Sequence, residues 1–129
     1  MTRKESREQA FVLLFEYSFC GDSAEELFDI AEEAGVYVED EFCKRAVEMT
    51  ISNVSEIDAL ISQFAKGWTI QRLSKVVLSA LRLAICEIKY FDDIPDSVSI
   101  NEAIELIKKY ASEQDASFAN GILGSVSRN

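Results

Sequence analysis

The chain has 129 residues, of which 48% are hydrophobic and 28% are charged. This length fits one domain, and the balance is typical of a globular protein, so a wholly disordered or collagen-like chain is excluded. Five Gly and one Pro provide few turn signals. This small number of Gly and Pro residues favours long helices over the many tight turns of a sandwich or barrel.

The net charge is strongly negative, because the chain has 13 Lys and Arg residues but 23 Asp and Glu residues, which gives a formal charge of −10. General binding to polyanions is therefore disfavoured. The acidic excess lies in residues 1–58, which carry 5 basic and 15 acidic side chains. Three cations, Arg3, Lys4 and Arg7, come just before the acidic stretch.

The residue types also limit the possible chemistry. There is no His, which excludes Ser-His and Cys-His nucleophilic pairs and every His-containing metal site. Cys20, Cys43 and Cys86 are widely spaced, so neither a disulfide framework nor a zinc ribbon is indicated. The N-terminus lacks a signal-peptide core, and the most apolar stretch is interrupted by Arg82 and Glu87. We therefore predict a cytoplasmic protein that has no membrane span, metal or cofactor.

Four helices are predicted in the first half of the chain. Thr2 and Glu5 have the spacing of a capping box, and the first helix runs from there to about Phe19. Its apolar residues recur at three- and four-residue steps, which places them on one face. Ser23 begins a second, acidic helix, a third covers about residues 39–53, and Ser55 is predicted to cap a short fourth helix.

A break at Gly67 and Trp68 precedes the most apolar segment. From Arg72 to Phe91, apolar residues cover more than half of a helical circumference. About twenty residues without Gly or Pro are too long for a strand. This segment is therefore predicted to form the central helix.

Two more helices complete the prediction. Ser97 or Ser99 is predicted to cap the sixth helix, and Asp115 the last one. The result is an all-α fold, a compact bundle of about seven helices in a single domain of residues 1–129. Its two small helical subdomains are expected to cover about residues 1–66 and 67–129.

The basic start of the first helix is a candidate anion site. Arg3, Lys4 and Arg7 oppose the helix dipole by ~0.3–1 kcal/mol each, so local stability does not explain them. A bound anion would meet exposed amides and cationic side chains together. The alternative is a solvated terminus in which Lys4 pairs with Glu8.

The last helix carries a second candidate site. Asn is a poor helix former and an interior Gly costs ~1 kcal/mol relative to Ala, yet Asn120 and Gly121 are adjacent there. Phe118 offers a ring for base stacking and Asn120 offers an amide for base edges or a phosphate. The alternative is that Phe118 belongs to the core and Gly121 allows close packing.

Two charges interrupt the apolar central segment, and buried charges need partners. Arg82 is predicted to tie helices together by bonding to a carboxylate or to helix-end carbonyls. Glu87, nearer the helix end, is a candidate to face a partner. Structural roles are the default interpretation for both.

The chain resembles the NusB family of bacterial transcription antitermination factors from about Arg3 to Val126. The order and spacing of matching residues along the whole chain carry the resemblance. They are Arg7, Glu8, Ala10, Leu14, Phe15, Trp68, Arg72, Leu73, Leu81, Arg82, Leu83, Ala84, Glu87, Ile94, Pro95, Ile100, Asn101, Glu102, Ala103, Ile104, Glu105, Leu106, Lys108, Phe118, Asn120, Gly121 and Leu123.

The resemblance implies an all-helical binding protein, not an enzyme. Such a factor binds the boxA element of ribosomal RNA transcripts with NusE, a small-subunit ribosomal protein. The complex joins other Nus factors at RNA polymerase, suppresses termination and assists ribosomal RNA maturation. The family's functional positions are expected to be Arg3, Lys4, Arg7, Phe118 and Asn120 for RNA, with Phe15 and Glu87 for the protein partner.

The chain departs from the family pattern at its N-terminus, because Glu5 and Glu8 interrupt the three N-terminal cations of this acidic chain. This departure affects RNA affinity. We expect weak RNA binding alone and much tighter binding with NusE. The oligomeric state is expected to be a monomer or a homodimer, and a dimer could occlude Arg3 and Arg7.

Two alternatives remain open. An acidic helical adaptor could recruit a basic protein through residues 25–41 without touching RNA. A NusB-like domain also precedes the catalytic domain of some ribosomal RNA cytosine methyltransferases. That alternative requires the chain to be a fragment, since 129 residues hold no second domain.

Overall fold

The computed structural model describes all residues, 1–129, and consists of helices and their connections. The predicted all-α fold with seven helices is confirmed. They are α1 (Arg3–Cys20), α2 (Ala24–Glu33), α3 (Glu41–Ser52), α4 (Val54–Phe64), α5 (Lys75–Tyr90), α6 (Asp96–Tyr110) and α7 (Glu113–Arg128), with a short 3₁₀-helix at Ile70–Arg72. None of the helices has the length and apolarity needed to cross a membrane.

The first two helices begin at the predicted capping boxes. The Thr2 hydroxyl accepts the Glu5 amide at 3.1 Å, while the Glu5 carboxylate accepts the Thr2 amide at 2.8 Å. Ser23 and Glu26 repeat this exchange before α2. Gly21 ends α1 with φ of 68°, a left-handed conformation that favours glycine.

The predicted cap of α4 at Ser55 is wrong, because α3 and α4 follow each other almost without a break. Asn53 separates the two helices, and its side-chain amide donates to the Met49 carbonyl at 2.8 Å. The Asn53 carbonyl then accepts the Ile57 amide at 3.0 Å. Asn53 therefore ends one helix and begins the next, which leaves Ser55 inside the first turn.

The predicted caps of the last two helices are also wrong. Pro95 precedes α6 without a side-chain cap, and the Ser99 hydroxyl donates instead to Glu87 at 2.8 Å. Before α7, Ser112 accepts the Asp115 amide at 3.1 Å. Asp115 thus lies in the first turn of the helix that it was predicted to cap.

Helix α5 is the centre of the bundle, as predicted, although it begins at Lys75 and not at Arg72. The Ser74 hydroxyl caps it by accepting the Val77 amide. Every residue from Val77 to Glu87 is buried, because α5 packs against α1, α3, α4, α6 and α7. Polar side chains on this helix must consequently find partners inside the protein.

One hydrophobic cluster runs through the whole molecule and includes residues from both predicted subdomains. Their division near residue 66 stays a prediction. Helix α1 runs antiparallel to α5, since Arg7 meets Glu87 and Tyr17 meets Arg82. Helix α6 lies beside the start of α1 on one side and beside α7 on the other. This arrangement positions the candidate site.

Candidate functional site

The start of α1 presents two exposed cations. Arg3 and Lys4 follow the Thr2 cap and are both exposed. Lys4 lies 3.6 Å from the Glu102 carboxylate of α6, so the alternative pairing of Lys4 with Glu8 is not formed. Arg3 takes part in no salt bridge and stacks over the Phe42 ring, with 4.1 Å between its guanidinium carbon and the ring centroid.

Arg7, the third predicted cation, is buried in an ion pair with Glu87. Its Nε and Nη2 donate to the two carboxylate oxygens at 2.8 and 2.9 Å, and the side chains are only 4% and 1% exposed. Ser99 donates a third hydrogen bond to Glu87 at 2.8 Å. Two parallel bonds between planar groups give strong, directional charge-assisted pairing.

This pair bears on two predicted contacts, which stay predictions. Arg7 was expected to contact RNA and Glu87 to face a protein partner, but each charged group is satisfied by the other inside the bundle. The physical reason is the packing of α1 against α5, which removes both from water. A direct contact by Glu87 would require the pair to separate, whereas Arg7 also lines a small pocket between α1 and α6.

The network extends from the pair to the surface of α6. Arg7 Nη1 lies 3.4 Å from Glu102, which also lies near Lys4. One turn after Lys4 on α1, Glu8 accepts a 2.6 Å hydrogen bond from Lys109 and another from the Tyr110 hydroxyl. These bonds, led by that of Lys109, lower the pKa of Glu8. The N-terminal half of α1 is therefore joined to α6 along its length.

A wide groove lies between α6 and α7 and has a volume of about 610 Å³. We call it the α6–α7 groove. Asn101, Lys108 and Asn120 are exposed at it, while Ile100 and Ile104 provide half-buried apolar surface. It therefore combines amide groups, a cation and apolar walls, which can contact base edges, phosphates and base faces, and it also contains the Glu113 carboxylate.

Phe118 belongs to a different surface from Asn120. Its half-buried ring packs edge-on against Trp68 at 5.9 Å between centroids. Arg72 stacks over the Trp68 indole at 5.3 Å. This Trp68–Phe118 groove, of about 370 Å³, has no residue in common with the groove that contains Asn120.

The predicted RNA residues do not form one continuous cluster. Asn120 faces the α6 side of α7, whereas Phe118 faces the start of α5 near Val77. Arg7 meets α5 at Glu87, and ten residues of helix between those positions span roughly 15 Å. Arg7 and Phe118, both predicted to contact RNA, therefore meet different parts of α5 and do not touch each other.

The predicted partner position Phe15 lies on an apolar stripe along α1. It is half-buried, and its ring packs edge-on against that of Phe19 with 5.0 Å between centroids. Val12, one turn before Phe15, is 40% exposed and Phe19 is 66% exposed. Large side chains exposed together on one helix are typical of an interaction surface.

A third groove, between α2 and α3, is acidic. Glu25, Asp29, Glu32, Glu39 and Glu48 line it without any salt bridge. Phe28 and Tyr37 pack at 5.3 Å within it, and Lys44 is its one cation. We call it the acidic groove.

The structure confirms the predicted role of Arg82. Its Nε and Nη2 donate to the Asp58 carboxylate at 2.9 and 2.8 Å, which ties α5 to α4. The predicted sites were drawn from charge, helix position and the family resemblance, and they did not include Glu102 and Lys109. Nothing local distinguishes those two residues, because their roles depend on α6 lying parallel to α1.

The chain is similar to the NusB family along its whole length. The NusB family model matches residues 4–128. The Transcription antitermination protein NusB of Natranaerobius thermophilus is 44% identical, over 98% of this chain and 94% of that protein. That of Listeria monocytogenes is 41% identical, over 98% of this chain and 96% of that protein.

Solved structures show the same similarity. T. maritima NusB matches with a TM-score of 0.83 at 35% identity, over 100% of this chain and 92% of that chain. A chain in the crystal structure of antitermination factors NusB and NusE in complex with dsRNA matches with a TM-score of 0.85. It is 30% identical and the match covers 98% of this chain and 96% of that chain.

Proposed function

Because the chain belongs to the NusB family, we propose that it is a transcription antitermination factor that binds boxA RNA together with NusE. The observation that carries the proposal is the full-length likeness to a chain solved with NusE and double-stranded RNA. In this proposal the chain acts in the cytoplasm as a binding protein without catalysis. It supports processive antitermination and ribosomal RNA maturation with other Nus factors and RNA polymerase.

The chain's own residues suggest how RNA would be held. Arg3 and Lys4 would contact phosphates, because both are exposed at the start of α1. Asn120 would contact a base or phosphate from the α6–α7 groove, and Phe118 would stack against a base at the Trp68–Phe118 groove. Since α6 lies between α1 and α7, a strand crossing α6 would pass from the cations to Asn120.

Arg7 enters the proposal as a positioning residue. Its bonds hold Glu87 and Glu102 beside the start of α1, and this fixes the direction in which Arg3 and Lys4 project. The same pair keeps Glu87 away from a protein partner in this arrangement. For NusE, the exposed stripe that contains Phe15 is the better supported contact.

RNA binding by the chain alone should be weak. The net charge of −10 repels RNA, and neutralising two phosphates gives a log-log salt slope of only about −1.4 on single strands. A basic ribosomal protein adds its own phosphate contacts to the same strand. The affinity of the complex should therefore exceed that of the chain alone.

Titration of labelled boxA RNA with the chain, with and without NusE, tests the proposal. We expect much tighter binding with NusE, and a shuffled RNA of equal length should bind more weakly. NusE alone is the necessary control. Equal affinities for the chain with and without NusE, or no preference for boxA, would contradict the proposal.

A second candidate function is suggested by the acidic groove, whose five carboxylates form no salt bridge. In that case the chain is an adaptor for a basic protein and does not touch RNA. Crosslinking separates the two functions, because an adaptor would retain NusE binding while showing no crosslink to RNA.

A further inference from the structure

We propose that Arg45 is a further phosphate-binding residue, paired with Arg3 by a platform of two phenylalanine rings. The inference rests on the proposed RNA function and adds a residue to its site. Arg45 lies on α3, far from the basic N-terminus in sequence, and its surroundings in sequence are acidic.

The platform brings cations from two helices to one surface. Phe42 and Phe91 pack edge-on with 5.6 Å between centroids. The Arg3 guanidinium carbon lies 4.1 Å from the centre of Phe42, and that of Arg45 lies 4.1 Å from the centre of Phe91. These contacts keep the distance between the two guanidinium groups within the length of about four stacked nucleotides, at roughly 3.4 Å each.

Neither cation is neutralised by a salt bridge. Glu41 lies four residues before Arg45 and Glu48 three residues after it, both at spacings that favour ion pairs on a helix. No salt bridge to either one is formed, and Arg45 stacks on Phe91. Both arginines remain exposed. A guanidinium group placed over an aromatic ring still has N–H groups that can donate hydrogen bonds to an anion.

The geometry favours a phosphate backbone over a single small anion. Two guanidinium groups on separate rings match negative charges a few nucleotides apart on one strand, and Lys4 follows Arg3 in sequence. Phosphate contacts position a strand without reading its sequence. Arg45 should therefore strengthen binding equally for boxA and for other RNA.

The test compares Arg45→Gln with Lys66→Gln in the complex with NusE. Lys66 is also exposed and forms no salt bridge, so both variants lose one charge. Fluorescence anisotropy would measure binding of labelled boxA RNA and of a shuffled RNA across a range of salt. We expect Arg45→Gln to weaken both about five- to tenfold and to reduce the log-log salt slope by about 0.7. Lys66→Gln should change neither.

Two further variants keep the inference testable if Arg45→Gln unfolds. Arg45→Lys retains the charge but not the planar edge, and should give an intermediate loss. Phe42→Leu removes the ring under Arg3 and should lower affinity without changing the net charge. Equal binding by Arg45→Gln and Lys66→Gln, while the wild-type complex binds RNA, would overturn only this inference. Absence of RNA binding by the wild-type complex would overturn the proposed function as well.

Discussion

Replacing Glu87 by Gln removes the charge from the buried pair while keeping the shape of the side chain. Arg7 then keeps its charge at 4% exposure, with only Glu102 nearby at 3.4 Å. The Gln amide group also places N–H donors against the donors of the guanidinium group. Removing one partner of a buried ion pair costs about 3–5 kcal/mol of the free energy of unfolding. Because the Glu102 carboxylate remains near Arg7, we expect a cost at the lower end of that range, about 3 kcal/mol.

The expected loss is large enough to measure without ambiguity. For a chain of this length, a loss of about 3 kcal/mol lowers Tm by roughly 10 °C. Urea unfolding followed by circular dichroism gives the free energy of unfolding directly. Glu8→Gln is the matched control, because the Glu8 side chain is 27% exposed and its partner Lys109 is 59% exposed, so its loss should be nearer about 1 kcal/mol. A loss below about 1 kcal/mol for Glu87→Gln would refute the argument that this charge is needed in the core.

Three further predictions concern single side chains. The Lys109 hydrogen bond lowers the pKa of Glu8 below its ordinary 4.5, so its stabilising effect is complete above that value and is lost as pH falls through the lower folded pKa. Glu8→Gln should therefore reduce the loss of stability on acidification from about pH 6 to pH 3, measured by urea unfolding; an unchanged loss would argue against this bond. A thiol reagent should label exposed Cys20 in the folded chain and the two buried cysteines only after unfolding; rapid labelling of all three would contradict their burial. Phe118→Ala removes a half-buried ring that packs on Trp68, and it should weaken RNA binding in the complex by up to about 100-fold while lowering Tm by a few degrees; collapse of the fold would favour a core role.

Local sequence patterns were sufficient to predict most of the helices. Capping boxes and helical periodicity involve residues three or four positions apart, so α1 and α2 begin where predicted. One of the errors occurred because a side chain bonds elsewhere. Ser99 was a reasonable cap for α6, but its hydroxyl is used by Glu87, twelve residues earlier. A cap prediction that considers one helix at a time cannot detect that competition.

The site was predicted less completely than the fold, because long-range pairing determines which charges are exposed. Arg7 and Glu87 are 80 residues apart, and each alone resembles a surface charge near a helix end. The prediction for Arg82 was confirmed, since it followed from the cost of burying any unpaired charge, but Asp58 was not identified as its partner. Arg45 was not singled out, because its ring platform combines α3 with the end of α5.

The central position of α5 affects how the chain acquires its structure during synthesis. Helices α1 to α4 leave the ribosome before α5, and the apolar faces of α1 and α3 pack on that later helix as well as on each other. Until residue 90 has emerged, the surfaces that α5 covers remain in contact with water or with chaperones, and the nascent chain is prone to aggregate. A ribosome-bound fragment ending near residue 66 should be readily cut by proteases, whereas one that includes α5 through α7 should resist them.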